Sequence, residues 1–302
     1  MLSLSASNPI KRIRLDDMTN VGSRMEISES FIFSQSSLQD YVDCPQRFQL
    51  RHIIHMAWPA IESEPVLDFE RHQQEGQQFH RMAQQALIGL PVDQVVPPAG
   101  SKDLNQWWES FGSLLQDLLA SKTEDGSALY PELTLSAPIG GQRLMAKFDL
   151  LVVHHDRAII YDWKTNNMRP KDERMAGCLQ TKVYRYLLAA AGSRLHRNHS
   201  LPVEQIEMIY WFSNFPDQPV HLPYSSIQYQ RDRSALEKLI GEITSCSDFP
   251  LTEDEKRCLF CCYRSYCARG VRAGNWSEAE SIDEDDLSDF SINLEQIGEI
   301  EF

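Results

Sequence analysis

Between Leu133 and Lys164 the chain passes through three β-like segments with almost nothing between them, and few folds can accept such a stretch. The segments are Leu133 to Ile139, Arg143 to Val153 and Ala158 to Lys164, and the breaks fall at Gly140-Gly141 and His155-Asp156-Arg157. Such short connections are turn signals, and they force each strand to lie antiparallel to the one before it. The pattern around this meander is helical. From Ser36 to His55 the apolar positions Leu38, Tyr41, Phe48 and Ile53 fall mostly at helical spacing with Pro45 interrupting, which fits two short helices or one kinked helix. A second helix is expected over about Phe69 to Leu90, and a third carries Trp107, Trp108, Phe111, Leu114, Leu115 and Leu118 before Asp125-Gly126 breaks it. After the meander the sequence predicts a helix from Glu173 to Ala191, a strand from Ile206 to Phe212, another near Val220 to Ile227, and a helix from Arg231 to Ile243. The expected architecture is α/β, with a sheet flanked by helices and a helical N-terminal part.

The net charge of -14 at first argues against a nucleic-acid partner, because phosphate binding normally leaves a basic footprint. The distribution removes the objection. Ala273 to Phe302 holds ten acidic residues and no Lys or Arg, so the remainder of the chain carries only -4. Composition divides the chain into a non-periodic arm over 1–30, a globular domain over 31–270 and an acidic tail over 271–302, the arm and tail expected to be disordered. Met25, just ahead of the first patterned segment, is an alternative start. No stretch approaches the roughly 18 apolar residues of a membrane helix, and no cleavable leader is visible, so the expectation is a cytoplasmic protein without membrane contact.

Strand alternation puts Asp162 and Lys164 of Ile160-Tyr161-Asp162-Trp163-Lys164 on one side. Residues symmetric about the 155–157 turn sum to about 312, which pairs Asp149 near Trp163 and brings it diagonally close to Asp162 and Lys164. Two carboxylates so close repel unless a cation lies between them. Oxygen ligands suit Mg²⁺ or Mn²⁺, which polarise a phosphate and acidify a bound water, with Lys164 to orient that water or stabilise the developing charge.

Four of the seven cysteines, Cys258, Cys261, Cys262 and Cys267, lie within ten residues, a crowding that suits metal ligation in a reducing compartment. Cys258-x2-Cys261-x5-Cys267 offers three thiolates, and Cys44 of Asp43-Cys44-Pro45 is the candidate fourth ligand for either tetrahedral Zn²⁺ or a cubane cluster. Cys262 is an extra neighbour. Cys178 and Cys246 read as small core residues.

In this order the residues resemble the PD-(D/E)xK nuclease superfamily. Asp149, preceded by Phe148 where a proline often stands, matches its first acid, and Asp162-Trp163-Lys164 its (D/E)xK element. Gly76-Gln77-Gln78-Phe79-His80, Tyr130-Pro131-Glu132 and Gln180-Thr181-Lys182-Val183-Tyr184 are similar to the flanking motifs of the RecB-like branch. The resemblance implies a restriction-endonuclease-like core, His80 as a metal ligand beside Asp149 and Asp162, Glu132 as a further acid, and Gln180 with Tyr184 as contacts to DNA. The split cysteine set resembles the iron-sulfur-stapled subset, the AddB type and CRISPR-associated exonucleases, in which a [4Fe-4S] cluster ties the N-terminal helix to the C-terminal end. That implies an exonuclease in DNA repair, recombination or defence. No Gly-x4-Gly-Lys-Ser/Thr loop is present, so a single-stranded or end-containing substrate, or a helicase or other repair or defence protein in trans, is expected. The competing expectation is a catalytically silent nucleic-acid-binding or assembly module that carries a metal cluster.

Overall fold

The computed structural model describes residues 27–56, 64–124, 126–195, 201–259 and 261–270, so the tail over 271–302 and all but the last residues of the arm over 1–30 lie outside the described residues. The first strand, β1 (Ile32–Ser34), ends in the cap of α1 (Gln35–Asp43): the Ser34 hydroxyl accepts from the Ser37 N–H, and the Ser37 hydroxyl oxygen accepts from the Ser34 N–H. Pro45 disfavours helical backbone at Cys44, which is extended, and the helix restarts as α2 (Pro45–Phe48) with a π turn over Gln49–Ile53. There follow α3 (Glu64–Leu87), α4 (Lys102–Glu124), β2 (Ala128–Ile139), β3 (Gln142–Val153), β4 (Ala158–Lys164), α5 (Asp172–Gly177), α6 (Leu179–Ala191), β5 (Ile206–Phe212), β6 (Val220–Pro223) and α7 (Ser226–Ser245).

Several expected elements differ: α3 runs over Glu64–Leu87 where Phe69 to Leu90 was foreseen, and β2 begins at Ala128, five residues before the foreseen Leu133. The helix foreseen over Glu173 to Ala191 breaks at Cys178, because the Thr181 hydroxyl donates to the Met175 carbonyl at 2.6 Å and Cys178 turns extended between the two. The strand foreseen to Ile227 stops at Pro223, and α7 starts before Arg231 because Ser225 caps it by accepting from the Gln228 N–H.

The six-stranded mixed sheet is organised on β3. Along one edge β2 pairs antiparallel over its whole length; along the other, β1 runs parallel to Arg143–Met145 and β4 antiparallel to Leu150–Val153. Parallel β5 and antiparallel β6 continue beyond β4. Helices cover both faces: α1, α2, α6 and α7 pack on one core, α3 and α4 on the other. The fold is thus restriction-endonuclease-like, a central sheet flanked by helices.

Halfway along the β2–β3 ladder the faces exchange. In β3, Leu144, Ala146 and Phe148 face the α6 core, but further on Leu151 and Val153 do so while Leu150 and Val152 face α3 and α4. In β2 the same exchange separates Tyr130 from Leu133 and Leu135. The cause lies between them: Glu132 adopts a left-handed backbone (φ 55°), strained for a residue with a side chain, and sits between the pairs Pro131↔Leu150 and Leu133↔Phe148, opposite Asp149.

The two ends of the domain meet beside α1. Asp40, 3% exposed, takes ionic contacts from Arg47 and Arg51 and a hydrogen bond from His52, while Arg257 reaches back to Asp43 at 3.0 Å. The Tyr263 hydroxyl donates to the Met56 carbonyl, and the Gln46 N–H to that of Pro250. Burial alone would raise the Asp40 pKa, but the Arg47 and Arg51 charges and the His52 bond outweigh it and hold the carboxyl far below its usual range. A carboxyl depressed on folding contributes stability above its unfolded pKa and loses it as pH falls. Asp40→Asn is therefore expected to cost about 3 kcal/mol near neutrality in urea unfolding, and to flatten the loss of stability that the parent shows below about pH 4.

Candidate active site

The face exchange brings the acids of two strands together at one place. Asp149 on β3 accepts the Trp163 N–H at Oδ2 (2.8 Å) and meets His80 Nδ1 at Oδ1 (3.0 Å). Register explains the first contact: β3 and β4 pair one position tighter than the turn symmetry predicts, with Leu150↔Tyr161, so the ladder's next step sets Asp149 against Asp162. His80 is delivered by α3, whose neighbouring Phe79 is fully buried against Trp107, Phe111 and Trp211. Gly76, one turn earlier, lets the helix approach the end of β4: a Cβ there would stand 3.2 Å from Thr165 Oγ1. The kink at Glu132 supplies the third donor, so that ligand atoms of His80, Glu132 and Asp149 all lie within 4.8 Å of one another. One imidazole and two carboxylates form a donor set that fits Mn²⁺ or Mg²⁺.

A second group adjoins the first. Lys164 Nζ lies 3.1 Å from Asp162 Oδ1 and donates to Gln180 Oε1 at 3.0 Å, while Gln180 Nε2 donates to Asp162 Oδ2, also at 3.0 Å. Gln180 thus closes a ring with the acid and the lysine. Its oxygen also accepts from the Tyr210 hydroxyl at 3.2 Å, and Tyr210 lies directly across from Asp162 in the sheet. Tyr184, one turn beyond Gln180, is buried; its hydroxyl donates to the Lys147 carbonyl at 3.0 Å and its ring meets Phe148 edge-on.

The charges of the two groups act on each other. Burial disfavours ionised Asp149, but the His80 charge and bond, the Trp163 N–H and the Lys164 charge together hold its pKa below the ordinary value. Burial lowers the His80 pKa while Asp149, then Asp162 and Glu132, raise it further, for a net rise. Burial and the charges of Asp162 and Asp149 push Tyr184 far up.

Of the residues singled out in the sequence, His80, Glu132 and Asp149 converge on one point, and Asp162, Lys164 and Gln180 on another beside it. The carboxylate grouped with His80 and Asp149 is that of Glu132, whereas Asp162 faces Lys164 and Gln180. Gln180 and Tyr184 direct their polar atoms inward to the protein. Tyr210 and Lys147 were not singled out. Lys147 had a signal, since it stands two residues before Asp149 on the same strand; Tyr210 sits in an apolar strand that gives none.

At the C-terminal end of α1, Cys44 at the α1–α2 break lines a cavity with Cys258, Cys261 and Cys267, together with Arg47, Arg257 and Arg264. Burial and the neighbouring thiols of Cys261, Cys44 and Cys258 push Cys267 up to about 11, so the four act on one another as a set. None of the seven cysteines, all of them among the described residues, forms a disulfide.

Residues 32–268 match a family model described as the PD-(D/E)XK nuclease superfamily. Among solved structures, the chain is similar to SSO0001 at 13% identity and a TM-score of 0.37, covering 80% of this chain and 87% of that one. It is also similar to a protein from Eubacterium rectale described as a "putative exonuclease", at 8% identity and a TM-score of 0.47, covering 83% of this chain and 93% of that one. No curated protein matches. Among the described residues no helix is long and apolar enough to cross a membrane.

Because Gln180 satisfies a buried acid and a buried ammonium at once, Gln180→Met is expected to destabilise the metal-free protein by about 2 kcal/mol in urea unfolding, the cost of leaving charged groups short of a hydrogen bond.

Proposed function

Since the chain belongs to the PD-(D/E)XK nuclease superfamily, whose members typically use divalent metals, we propose that it is a Mg²⁺- or Mn²⁺-dependent DNA nuclease of the RecB-like kind. In this reading it is an exonuclease acting on single strands or free ends in repair, recombination or defence, inside the cell and beside a helicase or other partner that opens duplex. The observation that carries the reading is the meeting of His80, Glu132 and Asp149 within 4.8 Å, directly beside the Asp162–Lys164–Gln180 ring.

His80, Asp149 and Glu132 would hold the metal, and Asp162 would stand next to it on the neighbouring strand. A bound metal would polarise the phosphodiester and lower the pKa of a water. The chain supplies the rest. Lys164 is the fixed positive charge for the oxygen that gains charge as the phosphodiester is attacked, and it is preorganised because Asp162 and Gln180 already hold its ammonium. Tyr184 supports the site from behind through the Lys147 carbonyl. Lys164→Ala is expected to lower Mn²⁺-dependent cleavage of labelled single-stranded DNA at least about 100-fold; equal rates in parent and variant would overturn the mechanism.

For the cysteine set we propose a [4Fe-4S] cluster in preference to Zn²⁺, held by Cys44, Cys258, Cys261 and Cys267. The reading is supported by the split spacing of the cysteines in the sequence and by four thiols around one cavity, with three arginines beside them. Protein purified without oxygen is expected to be brown and to contain iron, and Cys44→Ser to lose both the iron and much of the fold's stability. A colourless preparation with zinc and no iron would replace the cluster by a structural zinc site and leave the nuclease chemistry as described.

A further inference from the structure

Lys147 has no place in the chemistry described so far, yet its ammonium lies 2.6 Å from Glu132 Oε2, inside the group of donors proposed to take the metal. The two lysines of the site are held differently. Lys164 is largely buried, its side chain 13% exposed and fixed by an acid and an amide; the Lys147 side chain is 50% exposed and contacts Glu132 from the solvent side. The Lys147 backbone is tied down by the Tyr184 hydroxyl on its carbonyl. The Glu132 backbone is set by the left-handed kink, and its side chain is 19% exposed. A compact ammonium on a flexible four-carbon stem, by contrast, can move without moving the backbone.

We propose that the Lys147 ammonium serves as the resident cation of the Glu132 carboxylate until a divalent metal binds, and that it then passes to a phosphate oxygen of the bound DNA strand. The proposal rests on the nuclease reading of this site. A doubly charged ion among His80, Glu132 and Asp149 repels a monovalent ammonium from the same oxygen, and the nearest new anion is the phosphate backbone that the metal itself recruits. Metal occupancy and strand binding are thereby coupled: Lys147 opposes the metal and favours the DNA. A lysine kept only to hold the strand in shape would not act on the two ligands with opposite signs.

The test compares the full-length parent with Lys147→Gln and Lys147→Arg. Mn²⁺ affinity is measured by titration calorimetry, and binding of a fluorescent single strand by anisotropy over a range of NaCl concentrations, with Lys164→Ala present in every protein to prevent cleavage. Lys147→Gln is expected to bind Mn²⁺ roughly five- to tenfold more tightly. The slope of its log Kd for DNA against log salt should fall by about 0.7, one single-strand phosphate contact, with Mn²⁺ present and remain unchanged without it. Lys147→Arg should keep the parent's values. Lys147→Met serves as a second neutral variant if the glutamine disturbs folding, which circular dichroism reports. Unchanged Mn²⁺ affinity, or a slope that falls equally with and without Mn²⁺, overturns the proposal and leaves the nuclease reading standing. Failure of the parent itself to bind Mn²⁺ overturns both.

Discussion

The two carboxylates of the candidate metal site meet at one backbone irregularity. Between Met145 and Leu150 the second edge of β3 is paired with neither β1 nor β4, so its side chains can change facing there, and β2 accommodates the change with the left-handed residue Glu132. Before that point the α6 core takes one parity of β3 side chains; after it, the other. Asp149 stands at the change and can address α3 through His80 while its second oxygen holds the Trp163 N–H on β4. A regular ladder would keep one parity throughout and leave Glu132 and Asp149 as an ordinary cross-strand pair of like charges, which is destabilising.

The aromatic layer under α3 and α4 makes the arrangement rigid from the other face. Phe111 meets Trp163 at 5.1 Å and Trp211 at 5.5 Å, and Phe79 stacks on Trp211, so α3 has little freedom to slide along the sheet. His80 follows Phe79 in sequence and inherits that position. Packing of apolar rings therefore sets the reach of a polar ligand, with the glycine at 76 removing the side chain that would hold the helix away from β4.

Much of this was legible from residues alone. Turn chemistry at Gly140-Gly141 and His155-Asp156-Arg157 predicted the hairpins, and symmetry about the second turn placed Asp149 within one residue of its partner. What the sequence could not carry is equally physical. β1 is three residues long and exists because β3 offers it an edge, which no local propensity announces. Glutamate has no preference for left-handed backbone, so the kink at Glu132 arises from tertiary packing, and with it the grouping of Glu132 rather than Asp162 with His80. Helical spacing correctly put Gln180 and Tyr184 on one face of α6, but spacing does not say whether that face meets solvent or the sheet; their hydrogen bonds run to Asp162, Lys164 and the Lys147 carbonyl.

The junction of Cys44 with Cys258, Cys261 and Cys267 joins segments more than 200 residues apart. Closing so long a loop has an entropic cost that rises only slowly with length, but it makes the contact one of the last to form, because nearly the whole domain must exist first. A chain leaving the ribosome presents Asp40, Asp43 and Cys44 early and waits for the final cysteines to arrive. Through that interval the sheet hairpins can assemble from local contacts while the two ends stay apart, so the emergence of Cys267 itself times the closing of the domain.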